Sequence, residues 1–349
     1  MNRTGREPLV SIVTPVYNEA SHLGECIESV LNQTYSNWDY TIIDNCSTDG
    51  TLEIAKQYVA KDRRVRVHHN SRLLGAIQNH NVALRQISPN SKYCKVVFGD
   101  DWLFPECLEK MVALAEDCPS VGIVGAYALE GERIAWAGLP YPSHVVGGRE
   151  ICRRHLLEAL YVFGSANAVL YRADLVRSRD PFYDESNIHA DTDVCFALLK
   201  FNDFGFVHQV LTFTRVRPAS LSEMTNDLGT WYACILRILI AHARDYLTGE
   251  EYDTRLDQLM SEYYGFLGKS LMLGRKPDFW DYHKKVLTQS GLDFSRSRVL
   301  VGALQTSLAF ALNPGNTVRR LLNRSQKSRF ADSPGAGGTE RGKMATGES

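Results

Sequence analysis

The sequence predicts an α/β fold, a mostly parallel sheet flanked by helices, with a helical appendage towards the C-terminal end. Three observations carry that expectation. Short apolar runs of strand type alternate with helical segments at a spacing of about 30 residues, as in βαβ units. Polar clusters rich in turn formers follow successive strands, as they do where a parallel sheet presents a binding edge. Beyond about residue 226 apolar residues keep helical spacing only. A chain of 349 residues with 44% hydrophobic content can fill a large α/β domain and such an appendage.

Taken in order, residues 1–8 read as a flexible N-terminus. Residues 9–14 form a buried strand interrupted by Pro15, and Ser21 is placed to cap a helix carrying Leu23, Ile27, Val30 and Leu31. Residues 40–43 are a second strand, 51–61 a helix, 65–68 a third strand and 75–87 a second crossover helix. The fourth strand runs through Val96-Val97-Phe98 and stops at Gly99-Asp100-Asp101-Trp102. A helix over 105–118, a strand over 121–127, an acceptor-side loop region over 130–148, a strand over 168–172 and an apolar helix over 194–199 follow. The appendage shows helices through 228–239, 251–273 and 278–289, and past Ser325 the composition is that of a disordered tail. The expected domains are 9–225, with halves 9–103 and 104–225, then a helical region 226–324 and a tail 325–349.

Bulk properties exclude several classes. A formal net charge of −1 and a pI near 6.8 leave no overall basic field, so no nucleic-acid partner is expected. Eight cysteines are scattered without a C-x-x-C pair, which argues against a disulfide framework. No apolar stretch reaches the roughly 18 to 20 residues of a membrane-spanning helix, and no secretory signal opens the sequence. A cytoplasmic protein, soluble or peripheral, is the expectation.

Three polar sites stand at strand ends: Pro15-Val16-Tyr17-Asn18-Glu19, Asp44, and Asp100-Asp101. On a parallel sheet they converge on one crevice. Two adjacent carboxylates repel unless a cation or donor-rich ligand lies between them, so a hard divalent ion with oxygen ligands is the natural occupant. The alternative is a solvated loop whose Asp caps the next helix. Asp49-Gly50 reads as a turn. Common nucleotide fingerprints are missing: no G-x-G-x-x-G follows the first strand, and Gly268-Lys269-Ser270 is not a Walker loop because Tyr263 stands where its first glycine belongs.

Thr14-Pro15-Val16-Tyr17-Asn18-Glu19, Asp44-Asn45-Cys46-Ser47-Thr48-Asp49-Gly50-Thr51 and Gly99-Asp100-Asp101 together resemble the nucleotide-binding half of the family 2 glycosyltransferases. The resemblance covers roughly residues 8–222. It implies a GT-A fold and a nucleoside diphosphate sugar donor, usually of uridine. Carried over residue by residue, it implies that Pro15, Tyr17, Glu19, Asp44, Arg72 and Asp100 bind the nucleotide sugar. Tyr17 lies near the base, Asp44 accepts from the base edge, Asp100 meets the ribose, and Asp101 binds the Mg²⁺ or Mn²⁺ that bridges the diphosphate. An aromatic face and a carboxylate acceptor suit uracil with its one N–H donor, and a metal offsets charge on the departing diphosphate. Family members often carry another Asp two positions before Asp100; here that position is Phe98.

In the family an acidic pair opens a later helix and its Asp takes the proton from the acceptor hydroxyl. The matching residues here are Ala190-Asp191, so Asp191 is the implied base, with neighbouring His189 a rival and an N-cap role the structural alternative. Arg215-Val216-Arg217-Pro218-Ala219-Ser220 resembles the family's arginine-bearing strand, which implies positive charge near the pyrophosphate.

The resulting expectation is a metal-dependent, inverting glycosyltransferase acting on a hydroxyl of a glycan or lipid-linked acceptor. The alternative is a catalytically inactive nucleotide-sugar-binding protein, motivated by Phe98 and Ala190. A glycoside hydrolase with paired carboxylates leaves Tyr17 and Asp44 without a role. One stretch lies outside the resemblance. From Ser295 to Arg329 stand Arg296, Arg298, Arg319, Arg320, Arg324, Lys327 and Arg329 with no Asp or Glu, around an apolar segment at 299–312. Basic flanks around a short apolar helix suit an interfacial anchor on an anionic membrane. The alternative is a helix packed on the appendage with solvated arginines.

Overall fold

Four apolar runs near the N-terminus form parallel strands, and the candidate site hangs on how they end. The protein is seen in a computed structural model that describes residues 7–158, 160–217, 225 and 227–312. Expectations for residues 1–6, for Pro218-Ala219-Ser220, for the basic residues from Arg319 to Arg329 and for the 325–349 tail lie outside the described residues.

β1 (Val10–Val16) lies between β2 (Trp38–Asp44) and β4 (Tyr93–Val96), with β3 (Val65–His69) beyond β2, all parallel. The crossovers are α1 (Leu23–Leu31), α2 (Thr51–Lys61) and α3 (Ala76–Arg85). β1 is buried along its whole length, which is why it reads as an unbroken apolar run and not as an alternation. Pro15 continues the strand and does not break it. Val97 donates its N–H to the Val13 carbonyl, so Val13 and, two residues on, Pro15 face the β4 side. The β1–β4 ladder ends where Val13 pairs with Val96, so the N–H that proline lacks is not required. The α1 cap differs from expectation: the N-cap is His22, and Ser21 falls one residue too early.

After β4 come β5 (Trp102–Leu103), α4 (Cys107–Asp117), β6 (Val121–Glu130), β7 (Arg133–Ala135), β8 (Val145–Val146), α5 (Gly148–Glu158), β9 (Val169–Arg172), α6 (Ala173–Arg177), α7 (Ala190–Leu199) and β10 (Asp203–Thr214). The sheet order is β3-β2-β1-β4-β9-β6-β10-β5, with β7 on β6 and β8 on β10. β1 to β4 are parallel, as is β10 with β6, whereas β9 runs antiparallel to both its neighbours. The whole is a mixed α/β sheet flanked by helices. The 130–148 region holds two short strands as well as loop. β10 ends at Thr214, so Arg215-Val216-Arg217 follows a strand and is not one itself. All eight cysteines are free.

Two compact units lie within Met1–His155, Tyr161–Pro218 and His242–Leu247, and within Leu156–Leu160, Ala219–Ala241 and Thr248–Ser349. The first holds the sheet, with a core that includes Ile12, Leu23, Ile27, Tyr40, Ile42, Leu108 and Met111. The second holds most of α8 (Trp231–His242) and all of α9 (Gly249–Met272), α10 (Pro277–Gln289) and α11 (Arg296–Leu312). A capping box opens α9: the Thr248 hydroxyl accepts the Glu251 N–H and Glu251 accepts the Thr248 N–H. Buried His283 accepts the Tyr263 hydroxyl at Nδ1 and donates Nε2–H to the Leu228 carbonyl, an arrangement for a neutral ring. Burial lowers it to about 4. No helix among the described residues is long and apolar enough to cross a membrane.

Candidate functional site

The loops leaving β1 and β2 bend through left-handed residues, Asn18 at φ 55° and Cys46 at φ 60°. Each costs about 1 kcal/mol for a side chain that is not glycine, so something must hold them. What holds them is a set of bonds from one loop to the other. Asn18 N–H donates to Ser47 Oγ at 3.0 Å, Glu19 N–H to Thr51 Oγ1 at 2.7 Å and Ala20 N–H to Asp49 Oδ2 at 3.0 Å. In return Thr48 N–H donates to Asn18 Oδ1 at 2.8 Å. Gly50 makes the expected turn, but Asp49 also braces the two loops. What burial Asp49 has raises its carboxyl, yet bonds from the Thr51 hydroxyl and the Ala20 and Thr51 N–H groups outweigh this and hold it below the usual value.

Asp44 ends β2 directly opposite Val16 and is fully buried. Its Oδ2 lies 2.7 Å from His69 Nδ1 and accepts the Ser47 N–H at 3.3 Å, while Oδ1 is buried with no donor. Tyr17, the residue after Val16, is 46% exposed, and Pro15 lies buried behind it. Arg72 is exposed on the loop after β3. That loop is held at the same edge by amides: Asn70 Nδ2 donates to Asn45 Oδ1 at 2.9 Å and to Asn79 Oδ1 at 2.8 Å.

At the exit of β4, a Cβ on Gly99 would lie 2.6 Å from Val16 Cγ1 and 3.2 Å from Glu19 Cγ. Glycine is what lets this exit lie against that of β1. Arg217 then joins the two: Nε donates to Asp100 Oδ2 at 2.7 Å and Nη2 to Glu19 Oε1. Glu19 Oε2 is a second buried oxygen with no donor. Burial raises the Glu19 carboxyl, and the bond from Arg217 offsets this only in part. Asp101 points the other way. Its Oδ1 accepts the Arg215 N–H at 2.9 Å and its Oδ2 the Asn167 amide at 3.0 Å, and burial with the neighbouring Asp100 charge pushes its carboxyl well above the usual range. Asn167 is itself set by Lys95, whose fully buried ammonium donates to the carbonyls of Asn167 and Val169. Burial lowers the Lys95 amine.

For a metal, both oxygens of the expected ligand Asp101 already have a protein donor. The neighbouring Asp100 keeps Oδ1 open, with no bond from the described residues. Among those residues no three of His, Cys, Asp or Glu form a metal cluster. A hard ion held by one carboxylate, with diphosphate and water oxygens completing its shell, is the usual arrangement for Mg²⁺.

Asp191 is the second residue of α7, behind N-cap His189, so it is not the cap; Asp193, four residues into the helix, sits 2.8 Å from His242 Nε2. Asp191 Oδ1 accepts the Thr192 N–H at 2.8 Å, and burial raises its carboxyl to about 6. Its charge is felt by the buried hydroxyls of Tyr171 and Tyr183. Asn81 on α3 fixes Tyr183, donating to its carbonyl and accepting its N–H, each at 2.9 Å. Phe98, where the family often has Asp, stacks on His80 with centroids 5.3 Å apart, and burial lowers His80 to about 4. The structure thus joins Glu19 and Asp100 through Arg217, and links the Tyr17 and Asp44 loops. No hydrogen bond among the described residues joins Asp191 to either group. Sequence reasoning missed His69, Asn81 and Lys95; a lysine inside an apolar strand was a signal for the last.

The glycosyl transferase family 2 model matches residues 11–178. EpsE of Bacillus subtilis (strain 168), a putative glycosyltransferase, is 36% identical over 155 residues, which make up 42% of this chain and 54% of EpsE. The chain thus spans about half the length of this curated relative. Residues 1–349 of S. aureus TarS, crystallised with UDP-GlcNAc, superpose with a TM-score of 0.61 at 17% identity over 80% of each chain. The mannosyltransferase PcManGT from Pyrobaculum calidifontis, bound to GDP-Man and Mn²⁺, gives 0.51 at 15% identity over 87% of this chain and 81% of that one. At such identities the likeness is one of fold. The family match leaves out Asp191 and Arg217 but takes in every strand end described above: residues 11–178 match glycosyl transferase family 2, and the domain has a GT-A fold.

Proposed function

We propose that the protein is an inverting glycosyltransferase that moves a sugar from a nucleoside diphosphate sugar, UDP-linked, to a hydroxyl of a glycan or lipid-linked acceptor. The observation that carries this reading is the pair of buried carboxylate oxygens without donors, Asp44 Oδ1 and Glu19 Oε2, where β1 and β2 end. A buried acceptor left empty costs about 1–3 kcal/mol, so this edge suits a ligand that brings donors. A nucleoside brings a base N–H and ribose hydroxyls. Asp44 takes the base edge, Tyr17 stacks on the ring, and Glu19 with Asp100 serves the ribose side; Pro15 sets the backbone behind them. Arg72 and Arg217 supply positive charge for the diphosphate. The donors held by TarS and PcManGT support a nucleotide sugar here.

Mg²⁺ or Mn²⁺ at Asp100, when bound, supplies charge neutralisation for the leaving diphosphate. Asp191 accepts the proton of the acceptor hydroxyl: a carboxyl raised to about 6 is ionised at neutral pH yet more basic than an ordinary aspartate. One base and one displacement give inversion. Peripheral contact with an anionic membrane through 295–329, at the cytoplasmic face, completes the reading.

A thermal-shift series of nucleotide sugars with and without Mn²⁺ tests it, since a ligand at 100 times its dissociation constant adds about 2.7 kcal/mol of stability. A UDP-sugar should stabilise the protein, more so with Mn²⁺, and Asp44→Asn should remove the effect. No stabilisation by any nucleotide sugar would sink the reading. Stabilisation without release of UDP in the presence of hydroxyl acceptors would make the protein an inactive binder.

A further inference from the structure

We infer that one face of α11, formed by Leu300, Val301, Leu304 and Leu308, is the surface that enters an anionic lipid layer. The inference rests on the membrane contact proposed above and assigns it to four side chains. They are 56%, 52%, 64% and 61% exposed. At about 100° per residue their spacing spans an arc of about 100°, one continuous stripe. Scattered exposed leucines need no explanation, but four on one stripe of a 17-residue helix do.

The stripe cannot be hidden by rotating the helix. A Cβ on Gly302 would lie 2.4 Å from the Tyr264 carbonyl oxygen, and one on Gly268 would lie 2.3 Å from the Ala303 N. α9 and α11 therefore cross backbone to backbone, with Val299 buried on the inner side. Arg298 lies over the Tyr264 ring, 4.3 Å from its centroid, and further fixes the register. The apolar surface extends onto α9, where Leu271 and Met272 are exposed and the Ser307 hydroxyl lies 3.6 Å from Met272 Sδ.

Charge selects the occupant. On the helical wheel Arg296 and Arg298 fall to either side of the leucine stripe, where long basic side chains reach headgroups while their stems lie along apolar surface. The sequence continues to Arg329 with five more basic residues and no Asp or Glu. An apolar stripe with unopposed positive charge matches a negatively charged lipid surface, and a helix of this length lies in the interface without spanning it.

The test is flotation of the full chain with vesicles of phosphatidylcholine alone or mixed equally with phosphatidylglycerol, using wild type and the triple variant Leu300→Ser, Leu304→Ser, Leu308→Ser. Wild type should float with the anionic vesicles only and release in high salt. The variant, of unchanged melting temperature because these side chains are exposed, should bind about a hundredfold more weakly, roughly fivefold per half-exposed leucine. UDP-sugar binding should be the same in both. Equal flotation of wild type and variant would overturn the assignment to α11 and leave membrane contact standing. No flotation of wild type would overturn both. A wild-type dimer that the variant converts to monomer, with no flotation, would make the stripe a contact between copies.

Discussion

Asp100 shares its carboxylate with Arg217, which also holds Glu19, whereas Asp191 lies within electrostatic reach of two buried tyrosines and burial raises its carboxyl. The first region is made by precise pairing: bonds between loops, one cation between two carboxylates, and acceptor oxygens left open. The second is made by partial burial of a carboxyl that keeps one oxygen accessible. Pairing fixes where donors and charge must lie, which is what binding a nucleotide requires; burial shifts a proton affinity, which is what a base requires. The contrast predicts that changes at the two regions separate binding from chemistry.

The largest effect is expected at Asp191. Asp191→Asn should lower kcat about a thousandfold, within the usual range for loss of a general base, with donor affinity by calorimetry unchanged. The wild-type rate should fall about tenfold per pH unit below about 6, where the carboxyl becomes protonated. Linkage gives an independent sign. A carboxyl raised from 3.8 to about 6 favours the fold at low pH, and that contribution is lost as pH rises through 6. Asp191→Asn should therefore be more stable than wild type at neutral pH, of order 2 kcal/mol in urea unfolding, and the difference should vanish near pH 4. Loss of donor binding in the variant, or a rate independent of pH between about 5 and 7, would break the separation.

The next effect sharpens the same contrast within one motif. Asp100→Asn should cost about a hundredfold in turnover and abolish the extra stabilisation that Mn²⁺ gives a bound UDP-sugar. Asp101→Asn should keep that Mn²⁺-dependent increment, because its oxygens already serve Arg215 and Asn167. If Asp101→Asn alone removes the increment, the inward carboxylate is the ligand.

Which of two adjacent aspartates turns inward was not legible in the sequence. The donors that decide it, Asn167 and Arg215, stand 66 and 114 positions from Asp101, and no local pattern carries such a contact. The fold was legible where physics is local. β1 to β3 and α2 are apolar or amphipathic runs closed by polar turns, and their bounds fall within two residues of the sequence reading. β10 escaped because its 12 residues are half-buried in the middle, with His208 and Gln209 there and register shifts against β6. α5 escaped because it opens on Gly148 and is rich in charge. Asp191 was singled out only by resemblance; the burial that raises its carboxyl comes from tertiary packing.

The smallest effect bears on how the binding edge is held together. Asp49 looks like part of a turn, yet it accepts the Ala20 N–H across the two loops as well as the Thr51 N–H and hydroxyl. Removing it leaves the left-handed Asn18 with one less restraint downstream, while the Asn18–Ser47 and Glu19–Thr51 bonds remain. Because the side chain is exposed, solvent screens these bonds and replaces the lost partners. Asp49→Ala should therefore cost only about 1 kcal/mol of stability. Its signature should lie in binding: a looser β1 exit places Tyr17 and Glu19 less well, and UDP-sugar affinity should fall about fivefold, with kcat at saturating donor unchanged. Asp49→Asn, which keeps one acceptor oxygen, should fall between. A variant that lowers kcat while leaving donor affinity intact would mean that the loops serve the chemical step as well, and the division between a paired binding edge and a buried base would not hold.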